Sequence, residues 1–161
     1  MVKILFTASK GWIGRIIRWV TSSYVSHVAI DVNGIIYEAD WTGFRRVLRQ
    51  GWKSDDDVVE SFTLTFPFTH DHAAILERWV GRKYDWGNLF WQIVVHVGRR
   101  LGAKIRFPFR SASSIICSEA VIRWLTKVGF PEAGDRRPEE ATPDSVLMWL
   151  WDHPLAERDD L

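Results

Sequence analysis

Residues 26–40 read SHVAIDVNGIIYEAD, and this stretch decides the fold class of the chain. Asn33 and Gly34 separate two runs that are rich in Val, Ile and other β-forming residues. This dipeptide is typical of a two-residue hairpin turn, because both central residues of such a turn need positive φ. The stretch therefore predicts an antiparallel β-hairpin with Asn33 and Gly34 at its tip.

The hairpin also predicts where its polar side chains lie. A two-residue turn pairs Val32 with Ile35 and continues outward, so that His27 faces Asp40 and has Glu38 as a diagonal neighbour. Side chains alternate along a strand, which puts these three polar residues on one face. A carboxylate beside an imidazole fixes its tautomer and stabilises its protonated form. The hairpin thus predicts a base with an orienting acid, while a surface pair of His and carboxylate would have the same pattern.

In the rest of the chain, segments whose apolar residues are typical of strands alternate with segments whose apolar residues recur at helical spacing. Further strands are predicted at residues 2–7, 44–48 and 60–66, and helices at residues 9–20, 71–80, 87–101, 115–128 and 143–151. This order of elements is typical of an α+β domain in which an antiparallel sheet packs against helices. We expect a single domain over residues 1–152. A polar tail is expected over residues 153–161, frayed from Glu157 onward and with His153 exposed.

The composition excludes several classes of protein. The 161 residues are 47% hydrophobic and 25% charged, which fits one globular domain with a full core. The formal net charge of +1 argues against a general nucleic-acid binder. The longest uncharged stretch, residues 86–98, is shorter than the roughly 20 residues of a membrane-spanning helix. The first residues show no signal-peptide pattern.

The ten Trp residues are unusual, and they fit a core, a ligand cleft or a membrane interface. The predicted helix at residues 9–20 carries Trp12 on an apolar stripe and Arg15 and Arg18 on another face. A basic helix that bears Trp suits a membrane surface, and packing on the domain's own core is the alternative.

Cys117 is the only cysteine, and it opens the predicted helix CSEAVIRWL. A thiol at a helix N-terminus lies at the positive end of the helix dipole, near N–H groups that lower its pKa. Those N–H groups can also hold a developing oxyanion. The position indicates a nucleophile, and a buried cysteine that serves as a small apolar residue is the alternative.

A metal site is the weaker interpretation of the two histidines His70 and His72. They lie two residues apart at the start of a predicted helix and do not face each other, so a capping turn is expected there. A single cysteine also argues against a Cys-rich zinc site. We expect neither a metal nor another cofactor.

Several segments resemble a known family: SHVAI at residues 26–30, YEAD at 37–40 and CSEAVIRWL at 117–125. They look like the circularly permuted branch of the NlpC/P60 superfamily, which consists of papain-like cysteine hydrolases and transferases. This branch includes the YiiX-like and lecithin:retinol acyltransferase-like groups, and its histidine strand comes before its cysteine helix, as here. KYDWGNLF at residues 83–90 resembles the aromatic and Asp segment ahead of that helix. TPDSV at residues 142–146 resembles the close of such domains.

The resemblance implies a papain-like fold with Cys117 as nucleophile, His27 as base and Glu38 as the third polar residue. Asp40, which the hairpin register puts directly opposite His27, stays the alternative orienting acid. Tyr84 and Asp40 are candidate substrate or oxyanion contacts. The implied chemistry is acyl transfer through a thioester. The expected activity is a cysteine hydrolase that cleaves a peptidoglycan peptide or a related amide.

Two other functions remain open. An acyltransferase or lipid hydrolase at a membrane surface would use the same chemistry, and the Trp content favours a hydrophobic substrate. A non-catalytic phage structural or binding module is the third possibility, although all three triad positions carry competent residues. The expected partner is a peptide, amide or acyl-lipid substrate, with membrane or cell-wall contact and without nucleic acid. The expected location is the cytoplasm or a phage virion.

Overall fold

The structure is a computed structural model that describes residues 1–54, 57–103, 105 and 114–160, apart from the side chain of Arg99. Within these ranges the chain forms five helices and a six-stranded antiparallel sheet. The expected α+β class with an antiparallel sheet is confirmed.

The first five strands lie within about two residues of the predicted segments, whereas the last three were not predicted as strands. The strands are β1 (Val2–Thr7), β2 (His27–Val32), β3 (Ile35–Asp40), β4 (Gly43–Leu48), β5 (Val58–Leu64), β6 (Lys83–Tyr84), β7 (Ser114–Ile115) and β8 (Ala156–Arg158). The large sheet has the order β4-β3-β2-β1-β5-β8, and β6 and β7 form a separate parallel pair. The hairpin strands β2 and β3 therefore lie inside the sheet, with a neighbour on each outer edge.

The hairpin forms with the predicted turn. The β2–β3 ladder starts at the pair Val32–Ile35, which is the predicted register. Asn33 and Gly34 take φ of 52° and 84°, the positive values that a tight hairpin turn requires.

The helices lie within about three residues of their predicted bounds. They are α1 (Trp12–Thr21), α2 (His70–Glu77), α3 (Trp86–Arg100), α4 (Cys117–Lys127) and α5 (Pro143–Trp151). In the part of the chain that the structure describes, no helix has both the length and the apolar character needed to cross a membrane. Thr142 caps helix α5, because its hydroxyl accepts a hydrogen bond of 3.1 Å from the Ser145 N–H.

Helix α4 packs across β2 and β3 and forms the centre of the core. Its inner stripe, which includes Ala120, Val121, Trp124 and Leu125, is at most 2% exposed. Burial of each of the large side chains stabilises the fold by about 1.5–3 kcal/mol. This packing fixes the N-terminus of α4 against the strand that begins at His27.

Helix α1 approaches the same region because one of its residues lacks a side chain. A Cβ on the buried Gly14 would lie 2.7 Å from the carbonyl oxygen of Ser9 and 3.1 Å from the Ser26 hydroxyl oxygen. Only glycine allows the helix to lie this close to the chain that leads into β2.

The expected frayed C-terminus is wrong for residues 157–159. β8 pairs with β5 as the last strand of the sheet, and the Asp159 carboxylate accepts hydrogen bonds from Thr63 at 2.7 Å, from Lys3 at 2.9 Å and from Ser61. His153 is 5% exposed, so its expected exposure is also wrong. Polar composition suggested a solvated tail, but these polar groups find partners on β1 and β5.

We expect Asp159→Ala to lower the free energy of unfolding by about 1–2 kcal/mol, because three donors lose a charged acceptor in a partly buried setting. Chemical denaturation at neutral pH measures this change. Asp160→Ala is the matched control, since Asp160 is exposed and one residue further along. Equal unfolding midpoints for the two variants would contradict the assigned role of Asp159.

Candidate active site

Cys117, His27 and Glu38 meet where the N-terminus of α4 packs on the hairpin. Cys117 is the first residue of α4, His27 the first of β2, and Glu38 lies on β3. Cys117 is 6% exposed. It lines the same cleft as His27, and the two groups lie close enough for each to shift the pKa of the other. The structure thus brings together the three residues that the sequence predicted, although 79 residues separate Glu38 from Cys117 along the chain.

The imidazole of His27 is held by Glu38. His27 Nε2 lies 2.8 Å from Glu38 Oε2, and the Glu38 side chain is 2% exposed. This contact occupies Nε2 and leaves Nδ1 as the ring nitrogen for the Cys117 thiol. A buried carboxylate at this distance fixes the ring orientation and stabilises the protonated ring.

The pKa of each member of the Cys117–His27 pair is shifted toward its charged form. Burial raises the pKa of the Cys117 thiol, but the positive charge and hydrogen bond of His27, and N–H groups of Val28 and Ser118, lower it overall. Burial lowers the pKa of His27, but the Cys117 thiolate and Glu38 together raise it overall. The pair is therefore expected to rest as a thiolate and an imidazolium.

Glu38, and not Asp40, is the carboxylate that contacts His27. The β2–β3 ladder ends at the pair Ile30–Tyr37, so His27 and Asp40 are not paired. Asp40 instead accepts a hydrogen bond of 2.8 Å from the Thr42 N–H.

Arg45 is a member of the site that the sequence reasoning missed. Its Nε and Nη2 donate to Glu38 Oε1 at 3.0 and 2.7 Å, and Nη2 lies 3.0 Å from Asp40 Oδ2. Burial raises the pKa of Glu38, but His27 and then Arg45 lower it to about 2. Arg45 lies opposite Glu38 in the β3–β4 register. Assignment of the turn at residues 41–42 would have revealed this neighbour.

Tyr84, on β6, lies near Cys117, as the position of Tyr84 in its motif predicted. It lines the same cleft as His27 and Cys117. Burial, followed by the negative charges of Cys117 and Asp40, raises its pKa well above the ordinary value. The hydroxyl therefore keeps its proton at neutral pH and can donate a hydrogen bond.

These residues form one wall of a cleft of about 380 Å³. Three tryptophans stand at its mouth: Trp12 on α1, Trp41 after β3 and Trp86 on α3. They are 71%, 69% and 49% exposed. The cleft thus combines a buried charged end with an apolar entrance. This combination is typical of small-molecule sites.

The two histidines of α2 do not form a metal site. The Thr69 N–H donates to His72 Nδ1 at 3.2 Å, so His72 caps the start of the helix as predicted. Across residues 1–54, 57–103, 105 and 114–160, no group of three or more His, Cys, Asp or Glu side chains could hold a metal ion.

A comparison with protein-family models gives no match for this chain, and a comparison with curated proteins gives none either.

We expect Cys117 to react with iodoacetamide well below the ordinary thiol midpoint of about 8.5, because His27 stabilises the thiolate. The pH dependence of the alkylation rate measures this. In His27→Ala the burial of the thiol is offset only by the N–H groups of Val28 and Ser118, so the midpoint should rise toward the ordinary value. The rate at neutral pH should then fall by at least about tenfold. His70→Ala removes an exposed imidazole and serves as the control. An unchanged midpoint in His27→Ala would show that the two residues do not act as a pair.

Arg45→Ala should raise the pKa of Glu38 from about 2 toward its ordinary value, since two charged hydrogen bonds are lost. Glu38 then loses its charge at a higher pH, and the support that it gives to the His27 imidazolium disappears earlier on acidification. Carbon NMR of the Glu38 carboxyl group follows this titration directly.

Arg46→Ala is the matched control for Arg45→Ala. Its guanidinium lies 2.8 Å from Glu77, away from Glu38. The same Glu38 titration in both variants would exclude Arg45 as a determinant of the charge of this carboxylate.

Proposed function

We propose that the chain is a cysteine hydrolase of the papain-like type, with the circularly permuted NlpC/P60 arrangement. One observation carries this proposal: His27 lies between the buried Glu38 carboxylate and the Cys117 thiol at the N-terminus of α4. An activated nucleophile, its base and an orienting acid are the parts that cysteine acyl transfer requires. The histidine strand precedes the cysteine helix, in agreement with the permuted order.

In the first step the Cys117 thiolate attacks the carbonyl carbon of an amide, and the carbonyl oxygen becomes an oxyanion. The first N–H groups of a helix have no acceptor inside it, so the Cys117 N–H is available to that oxygen. The Tyr84 hydroxyl is a candidate second donor from the same cleft.

In the second step the tetrahedral intermediate collapses to a thioester. The carbon–nitrogen bond breaks, and the His27 imidazolium gives its proton to the departing amine. The imidazole, now neutral, takes a proton from a water molecule that attacks the thioester. The acid product leaves, and the thiolate and imidazolium form again. Glu38 keeps its negative charge throughout and holds the ring in position.

The substrate class that the resemblance favours is the amide of a peptidoglycan peptide or a related amide. A second candidate is an acyl-lipid, and the three exposed tryptophans at the cleft mouth favour it. Both substrate classes would give a thioester on Cys117. Transfer of the acyl group to an acceptor other than water would make the protein an acyltransferase. A non-catalytic phage module is the outcome if no acyl donor is consumed.

We expect the native protein to release products from peptidoglycan peptides or from an acyl-lipid. Mass spectrometry of the reaction mixture detects these products. Acid quenching should reveal an acyl adduct on Cys117 that hydroxylamine removes, as a thioester requires. Cys117→Ala should abolish turnover. His27→Ala should lower the rate by about 10²–10⁴-fold, the usual contribution of a positioned acid and base.

His70→Ala is the control for this experiment, because it removes an exposed imidazole outside the cleft. Turnover that survives in Cys117→Ala would overturn the proposal. An activated thiol that forms no adduct with either class of donor would favour the binding module.

A further inference from the structure

The outward face of α1 is apolar, which is unusual for a helix at a protein surface. Trp12, Ile16 and Trp19 recur at helical spacing and are 71%, 39% and 68% exposed. The opposite stripe, with Gly14 and Val20, is buried against the domain. Packing on the domain's own core therefore accounts for only one of the two apolar faces of α1.

The exposed apolar surface extends from α1 to its neighbours. Helix α1 packs on α3, which exposes Trp86 and Phe90 at positions i and i+4. Trp41 joins Trp12 and Trp86 at the mouth of the cleft. We refer to the exposed side chains of Trp12, Ile16, Trp19, Trp41, Trp86 and Phe90 as the tryptophan rim. Contiguous exposed apolar surface of this kind marks a contact site.

Apart from Trp41, which follows Asp40, the tryptophan rim lies in two segments of the chain that are basic. Residues 9–30 and 86–103 together contain five Lys or Arg and no Asp or Glu, whereas the other residues contain 16 Lys or Arg and 20 Asp or Glu. Arg15 is exposed on the outward side of α1. The Arg100 guanidinium lies over the Trp19 ring at 5.8 Å, so it places positive charge directly on the rim.

We propose that the tryptophan rim docks the protein on an anionic lipid bilayer, with α1 parallel to the membrane surface. Trp side chains favour the interface between lipid tails and headgroups, and adjacent Arg side chains attract anionic headgroups. A second copy of the chain fits this surface less well. In a symmetric dimer across α1 the rim would face its own copy, and Arg15 would approach its equivalent.

This docking directs the mouth of the cleft toward the bilayer, because Trp12, Trp41 and Trp86 belong to the cleft mouth as well as to the tryptophan rim. It does not depend on the proposed hydrolase activity, since the contact uses no side chain of Cys117, His27 or Glu38. Cys117→Ala should therefore bind vesicles as the native chain does, whether or not the chain is an enzyme.

The experiment is co-sedimentation with vesicles of phosphatidylcholine alone and of phosphatidylcholine with about one third phosphatidylserine. The native chain should bind the anionic vesicles at least about tenfold more tightly than the neutral ones, and added salt should weaken this binding. Trp19→Ser and Arg15→Glu should each weaken binding by about tenfold.

Two matched variants control for loss of an exposed apolar or basic side chain elsewhere. Leu48→Ser alters a side chain that is 67% exposed on β4, and Arg78→Glu reverses an exposed charge after α2. Both should bind as the native chain does. The thermal unfolding midpoint of every variant should stay close to the native value, because each altered side chain is exposed.

Three results would overturn the proposal. The first is absence of binding to anionic vesicles, and the second is equal loss of binding in the control variants. The third is a dimer in light scattering without lipid that Trp19→Ser converts to a monomer. That last result would assign the tryptophan rim to a second copy of the chain.

Discussion

The buried charge of Glu38 is the constraint around which the site is built. An ionised carboxylate that is 2% exposed is costly unless it is paired and hydrogen-bonded. His27 meets one of its oxygens and Arg45 the other, so both are satisfied. The three residues come from β2, β3 and β4, and correct pairing of these strands is therefore a condition for a charged Glu38. Because these partners lower its pKa to about 2, Glu38 is an anion at neutral pH.

The sheet alone does not position Cys117. Packing of α4 across β2 and β3 puts the first turn of the helix, and with it Cys117, next to His27. At this position N–H groups of Val28 and Ser118 and the charge of His27 lower the pKa of the Cys117 thiol, and together they outweigh the effect of its burial. Apolar packing deep in the core thus sets the geometry of a charged pair at its edge. Substitutions at Trp124 or Leu125 would act on the site through this packing.

Local chemistry explains how much of the molecule the sequence could predict. The Asn33-Gly34 turn specifies its own register, so the hairpin and the face that His27 shares with Glu38 follow from residues 26–40 alone. The Cys117 helix follows from its apolar stripe. Arg45 was missed because its place depends on a second turn that has no such signature. The C-terminal strand was missed because the donors to Asp159 come from β1 and β5, at sequence separations of 156 residues for Lys3 and 96 for Thr63. Contacts of this kind leave no local pattern.

Helix α1 connects the site to the surface of the molecule. A helix with one apolar face buries that face against a protein core. Helix α1 has two apolar faces, and the rest of the chain covers only one of these faces. Its inner face lies against the chain that leads to His27, which the lack of a side chain at Gly14 permits. Its outer face carries Trp12 and Trp19 into solvent. An apolar partner over that face would exclude water from the entrance of the cleft, and electrostatic interactions strengthen when water is excluded. Docking of the apolar rim on such a partner would therefore strengthen the interaction between Cys117 and His27 inside the cleft.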